Sequence, residues 1–517
     1  DGRLFGAEGT TLHANLVAGA LIPVGILGVL HMWYPFGGDQ ALFVLGAMAI
    51  DQGGTLYIDF WDNKQPGIYW FYWLAGKLFG FHEAGVHALE LCWMLAYALV
   101  LLLGTRRYFR EPGIAFMAPL VTVFLYYLRA GEGNLTEVET LVPLPITVCL
   151  LLTSYDFKTV RGTIFGYVGL GLAASILATF KLILLPIPFA FWLVAVVAAA
   201  MYRGRRLHQI VLEMMLPALA GFALGVSLVV LPFWLQGGLE ALYQASLVYP
   251  WKAARVISTA PLERLLESVS WFIKPFLVGL PLLLMGLWAA RRWRSSRFGI
   301  LLIAWLVVGF GVLLVQKFSW WESHVVLLSS PVGLLALLGM DYTLPLFLPQ
   351  PREGRWRVFL MTSLLVAPIF ISHVMESWPK LMSIAEDIGH AQQIGTAYQA
   401  RLAPEYNKMR QAVQFLQMPG ALLGQIYVFG DPRFLLFSGR SQAIAAPGWS
   451  WEMLLPEQWA ALPKQLAAAR PAYIYVSGFY AKLIAKYSPE THHWIAANYR
   501  RDHAALRGIW YRRKQDP

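Results

Sequence analysis

The chain has 517 residues, of which 57% are hydrophobic and 14% charged, and a formal net charge of +11; its mean hydropathy is +0.53. Soluble domains carry about 25% charged residues, so the composition excludes a soluble globular enzyme and leaves a polytopic membrane protein. The two cysteines, Cys92 and Cys149, fall inside apolar segments, which argues against a disulfide framework and against a reactive thiol. No cleavable signal peptide is expected, because the first apolar segment is long enough to span. Asp1 is not a natural start, so a trimmed chain is expected.

A span needs about 20 mostly apolar residues. Eleven stretches qualify: roughly 15–33, 84–104, 113–129, 136–154, 162–180, 182–201, 212–235, 274–290, 298–315, 324–340 and 357–374, the fifth and sixth meeting at Lys181. Basic residues gather in alternate short loops: Arg106, Arg107 and Arg110; Lys158 and Arg161; Arg203, Arg205 and Arg206; Arg291, Arg292, Arg294 and Arg297; Arg352, Arg355 and Arg357. This is the positive-inside pattern. It predicts a cytoplasmic amino terminus and an extracytoplasmic carboxyl terminus. It also accounts for much of the net charge without nucleic acid as a partner. Few charges fall at mid-depth in a span, which weakens a transporter reading.

The first outer loop, 34–83, concentrates ionisable residues among aromatics. Asp39 follows two glycines in PFGGDQALF; it suits a general base for a hydroxyl acceptor or an N-cap of a helix over 40–50. In DFWDNKQPGIYW, Lys64 would offset phosphate charge at headgroup level, with Asp62 just before it. Trp61, Tyr69, Trp70, Phe71, Tyr72 and Trp73 suit an interfacial belt.

Further along, Glu137 and Glu139 open the fourth span, two residues apart and so pointing in different directions; a carboxylate at a helix start is also favoured by the helix dipole. Lys181 between two spans suits a snorkelling cation. The 236–273 loop carries Lys252 and Arg255, and its size suggests a lid. Glu322 and His324 open the tenth span in SWWESHVVLLSSP; with Asp62, His324 is a candidate metal ligand, on a weak signal.

After about 375 the composition becomes soluble. An amphipathic helix over 378–418, apolar stretches at 425–430, 441–446, 471–478 and 509–514, and a helix over 456–469 predict a small α/β domain. The domains expected are 1–375, membrane-spanning and catalytic, and 376–517, soluble and extracytoplasmic. His492 and His493 read as surface residues.

Asp39, the Lys64–Trp70 stretch and the opening of the tenth span together resemble the polyprenyl-phosphate-sugar-dependent glycosyltransferases of the GT-C type, the superfamily of protein O-mannosyltransferases and aminoarabinose transferases. The resemblance implies an all-α fold of about eleven transmembrane helices with a small C-terminal α/β domain. It implies inverting transfer of one sugar from a polyprenyl-phosphate carrier to a lipid, glycan or protein, at the outer face of a bacterial cytoplasmic membrane. Asp39 would be the base; Lys64, Lys181 and Arg255 would contact donor phosphate; Asp62, Tyr69, Glu137, Glu139, Glu322 and His324 would assist. A divalent metal is compatible with the resemblance but not required by it. The chain departs from the pattern at Gln40, where relatives often have Glu, and at Gln65, where they have a first proline. The alternatives are a polysaccharide polymerase or ligase using diphosphate-linked oligosaccharides, and a non-catalytic transporter.

Overall fold

The computed structural model describes residues 7–131, 133–292, 297–318, 320–347, 402–450 and 453–514, with scattered positions between 367 and 399. Among the described residues, six helices are long and apolar enough to cross a membrane: Glu83–Tyr108, Val160–Phe180, Leu182–Met201, Leu207–Leu235, Arg297–Val315 and Glu322–Leu344. Shorter apolar helices occupy Val17–Leu30, Gly113–Arg129, Val138–Ser154 and Leu280–Ala290. These ten follow the first ten predicted spans, while three, Val17–Leu30, Val138–Ser154 and Leu280–Ala290, are shorter than predicted. The predicted eleventh, 357–374, lies mostly outside the described residues, so the count of eleven is not established. The chain breaks at Lys181, whose backbone is extended between the helices on either side.

Contacts divide the chain into two compact units. One, the helical unit, comprises Asp1–Met32, His87–Val229 and Ala260–Glu386. Its tightest crossing joins Leu280–Arg292 to Ser329–Phe347. A Cβ on Gly286 would come within 1.8 Å of the Leu335 carbonyl oxygen, and one on Gly339 within 1.9 Å of the Leu282 carbonyl oxygen. Glycine at these two points lets the backbones touch, the packing that replaces hydrophobic driving force inside lipid. Two basic residues of the predicted cytoplasmic loops are in ion pairs. Arg205 bonds Glu213 at 2.7 Å, and Arg297 pairs with Asp156. Asp341 accepts from the backbone N–H groups of Arg110 and Glu111 at 3.0 and 3.1 Å.

The second, mixed unit comprises Trp33–Val86, Val230–Thr259 and Asp387–Pro517. It contains two helices of the first loop that pack on each other, Gly38–Asp51 and Pro66–Phe79. The second starts at Pro66, whose missing N–H costs nothing at a first helical position. Its Ile68, Tyr69, Tyr72 and Ala75 share one face at helical spacing and are buried. Phe43 meets Tyr69 and Tyr72 edge-on at 5.7 and 5.4 Å. The predicted aromatic belt is therefore corrected in part: Tyr69, Phe71 and Tyr72 are core residues, because the helix turns that face onto its neighbour. The 236–273 stretch is helical rather than an open loop, with Leu239–Tyr243, Tyr249–Val256 and Leu262–Ile273 among its elements.

The C-terminal sheet has strands β1 (Ile426–Phe429), β2 (Tyr473–Ser477), β3 (Tyr499–Ala505) and β4 (Gly508–Arg513), in the order β1-β2-β4-β3. β1 and β2 are parallel and the other pairs antiparallel. β1 and β2 are buried on two faces. Ile426, Val428, Tyr473 and Tyr475 pack on one side with Phe434 and Trp510. Tyr427, Phe429, Ile474 and Val476 pack on the other with Trp459 and Leu466. Three strands fall where the sequence predicts them, as does the helix Pro456–Ala469. The stretch 441–446 is not a strand: it makes only an isolated bridge from Gln442 to Ile426. β3 is not predicted, because Arg500, Arg501 and Asp502 break the apolar alternation; charge on an edge strand blunts pairing with other chains.

Candidate functional site

Gly37 is the N-cap of Gly38–Asp51, which puts Asp39 in the first turn and Gln40 at the third helical position. Gln40 is buried, and its Oε1 accepts the Gly37 N–H at 2.6 Å. The capping duty that a sequence reading offers to Asp39 thus falls to Gln40. That gives Gln40 a physical role at the helix start. The Asp39 carboxylate is left for side chains. Its Oδ1 accepts from Trp449 Nε1 at 2.7 Å, and its Oδ2 lies 3.7 Å from Lys64 Nζ. Lys64 and Asp39 keep 31% and 38% of their side-chain surface exposed. An exposed pair of this kind is worth about 0–1 kcal/mol to stability, so folding energy is a poor reason for placing the two together.

What surrounds this pair is rigid. The Tyr57 hydroxyl donates to the Lys64 carbonyl at 2.7 Å. Tyr57 has φ of +73°, a left-handed conformation that a bulky residue holds only under constraint, and its ring stacks on Phe233. Asp62 is 3% exposed and accepts a hydrogen bond from Tyr69. Burial pushes the Asp62 carboxyl up from the usual carboxylate range, while the Lys64 charge and the Tyr69 hydroxyl pull it back. Burial likewise raises the Tyr57 and Tyr69 hydroxyls, and the Asp62 charge adds to both. They stay neutral and act as donors.

The C-terminal part of the same unit holds the backbone ahead of Asp39. The Arg433 guanidinium donates to the Phe36 carbonyl at 3.2 Å and pairs with Asp431 at 2.6 Å. The Tyr406 hydroxyl accepts the Phe36 N–H at 3.3 Å and donates to Glu83 at 2.5 Å, and Arg410 reaches the same carboxylate at 3.1 Å. Trp61 N–H donates to the Ala445 carbonyl at 2.9 Å. Sequence reasoning missed Trp449, Tyr406, Arg433 and Glu83. Each is hundreds of residues from its partner or unremarkable in its local sequence, so no spacing announces it.

The helical unit gathers a second group of predicted residues. Lys181 Nζ bonds Glu139, and donates to Gln316 Oε1 at 2.8 Å. His324 Nε2 lies 3.6 Å from Glu139. Glu137 is buried as the N-cap of Val138–Leu141, whereas Glu322 is exposed in the first turn of Glu322–Val325. A further buried network was not read from the sequence: Glu90 accepts from Tyr126 and, at 2.6 Å, from Thr136, with His87 Nδ1 at 3.2 Å.

No protein-family model matches the sequence, and no curated protein matches it. Solved structures do match. The crystal structure of ArnT from Cupriavidus metallidurans bound to undecaprenyl phosphate is similar over 97% of this chain and 98% of its own, with 14% identity and a TM-score of 0.57. The apo state of ArnT from Cupriavidus metallidurans is similar over 98% of each chain, with 15% identity and a TM-score of 0.61. The fold is GT-C-like. At this identity the likeness is one of architecture, and it extends from the first helices through the C-terminal sheet.

On this GT-C-like scaffold the remaining predicted residues have definite places. The Arg255 guanidinium lies 4.3 Å from the Trp251 ring centre, at an exposed position on Tyr249–Val256. Lys252 reaches Glu457 at 3.2 Å. Among the described residues, no three His, Cys, Asp or Glu side chains group so as to hold a metal ion. Of the two candidate ligands, Asp62 already accepts from Tyr69, and His324 neighbours a Glu139 that Lys181 neutralises. The residues described do not form a fitted metal centre.

Proposed function

We propose that this chain is a membrane glycosyltransferase. In this reading it moves one sugar from a polyprenyl-phosphate carrier to a lipid, glycan or protein acceptor at the outer face of a bacterial cytoplasmic membrane. The observation that carries the reading is the Asp39–Lys64 pair: a carboxylate and an ammonium 3.7 Å apart, partly exposed, in a GT-C-like chain. The related structure's bound undecaprenyl phosphate supports the carrier class.

The chemistry is a single displacement. The acceptor oxygen attacks the anomeric carbon and passes its proton to Asp39 as the new bond forms. The bond from that carbon to the phosphate oxygen breaks, and its electron pair leaves with the carrier phosphate. Lys64 offsets the charge that develops there. Attack opposite the leaving group inverts the anomeric centre. We assign Lys181 and Arg255 as further contacts for carrier phosphate. Asp62 and Tyr69 hold the Lys64 loop, and Glu137, Glu139, Glu322 and His324 are assisting groups. The 1–375 region is the catalytic membrane portion in this reading, and 376–517 an extracytoplasmic one.

The test is sugar transfer in detergent from a panel of synthetic polyprenyl-phosphate monosaccharides, with native membrane extract as acceptor, for wild type and Asp39→Asn. Loss of a general base lowers turnover by about 10²–10⁴-fold, so transfer should collapse in the variant while donor binding persists. Absence of transfer by wild type with every monophosphate donor would overturn the reading, and transfer from diphosphate-linked oligosaccharides would point to a polymerase or ligase instead.

A further inference from the structure

We propose that Trp449 is a positioning residue for Asp39: its indole N–H holds one carboxylate oxygen, so that the other alone is presented to the acceptor's proton. The inference rests on the reading of Asp39 as the base and assigns control of that base to the C-terminal region.

The contact is built from several sides. Trp449 Nε1 donates to Asp39 Oδ1 at 2.7 Å. Its ring lies on Gly38, where a Cβ would come within 2.5 Å of the ring atoms, so any other residue there would displace the indole. The segment that carries Trp449 is clamped along β1. A Cβ on Gly448 would meet the Val428 carbonyl oxygen at 2.2 Å, and Gly430 N–H donates to the Gly448 carbonyl at 3.0 Å. The Tyr427 hydroxyl donates to the Ala446 carbonyl at 2.9 Å. Immediately after Trp449, Ser450 has φ of +53°, a conformation that persists in a non-glycine residue only when its surroundings over-determine it. Its carbonyl accepts the Met453 N–H at 2.8 Å. Ala445, in the same segment, accepts the Trp61 N–H at 2.9 Å. One rigid strip therefore touches both the loop leading to Lys64 and the carboxylate of Asp39.

The chemistry of the indole suits this task. A terminal carboxylate torsion is broad and two-fold, so an unheld Asp39 exchanges its oxygens. Indole N–H is a donor only. It can hold Oδ1 but cannot take the proton or be mistaken for the acceptor hydroxyl. Oδ2, on the Lys64 side, is the oxygen that remains.

Trp449→Phe keeps an aromatic ring against Gly38 and removes the N–H. Loss of the fixed oxygen should lower kcat about tenfold or more, with the KM for a synthetic polyprenyl-phosphate sugar unchanged. The contact has its own readout in protein labelled with ¹⁵N-tryptophan. The Trp449 indole cross-peak, identified by its loss in Trp449→Phe, should shift in Asp39→Asn. This second measurement reads protein that keeps Trp449; should Trp449→Phe misfold, loss of the peak in Trp449→Tyr identifies it instead. Wild-type transfer with unchanged kcat in Trp449→Phe, or an indole peak indifferent to Asp39→Asn, overturns the positioning role and leaves the transferase reading standing. Absence of transfer by wild type overturns both, even when the indole peak responds to Asp39.

Discussion

Tyr69→Phe isolates the electrostatics beneath the Lys64 loop. Asp62 is buried, and burial lifts its carboxyl above the usual range against the pull of Lys64 and Tyr69. The Tyr69 hydroxyl is a donor to that carboxylate from inside the core. A hydrogen bond to a charged buried group contributes about 1.5–3 kcal/mol, equivalent to roughly one to two pKa units. The phenylalanine variant should therefore raise Asp62 further. A carboxyl raised on folding contributes stability that is fully present below its unfolded value, near 3.8, and is lost as pH rises through the folded value. Raising the folded value widens that window upward, so the substitution should cost most at neutral pH and above, and least near pH ~4. For a domain of this size each kcal/mol moves the midpoint by roughly 2–4 °C. Thermal unfolding in detergent at fixed scan rate, at pH ~8 and pH ~4, measures both drops. Equal drops at the two pH values, or none at the higher, would refute the account of Asp62.

Other consequences follow from packing and pairing. Tyr406→Phe removes a donor to Glu83 and an acceptor for Phe36 N–H; it should lower stability by about 1.5–3 kcal/mol and reduce transfer through displacement of the Asp39 segment, read by melting and turnover together. Lys181→Met removes the ammonium that pairs with buried Glu139 and bonds Gln316; the loss should be about 3–5 kcal/mol, and the double variant Lys181→Met/Glu139→Gln should recover much of it in the same melting assay. Gly286→Ala drives a methyl into the Leu335 carbonyl and should cost about 1–3 kcal/mol. Gly311→Ala, with nothing within 4 Å of its new methyl, should instead be neutral or stabilise its helix by up to ~1 kcal/mol; a loss at Gly311 as large as at Gly286 would sink the close-crossing argument.

Composition and periodicity were enough for the class of protein. Apolar runs near 20 residues have few alternatives in water or lipid, so ten apolar helices, six of them long enough to cross a membrane, and three of the four described strands are legible one segment at a time. β3 escaped because its charged residues carry no alternation, and its turn to β4 uses Leu506 and Arg507 at φ of +42° and +61° without the Asn-Gly that announces such turns. Asp39 and Lys64 stand out in the sequence as a carboxylate and a cation in an aromatic loop of an apolar chain. Their environment does not. That Gln40 rather than Asp39 caps the helix, that Asp62 is buried beneath the loop, and that Trp449 reaches Asp39 across some four hundred residues are outcomes of packing. Local sequence encodes propensity and burial preference through near neighbours. Which oxygen meets which donor depends on long-range contacts between segments, and only the folded chain brings those segments together.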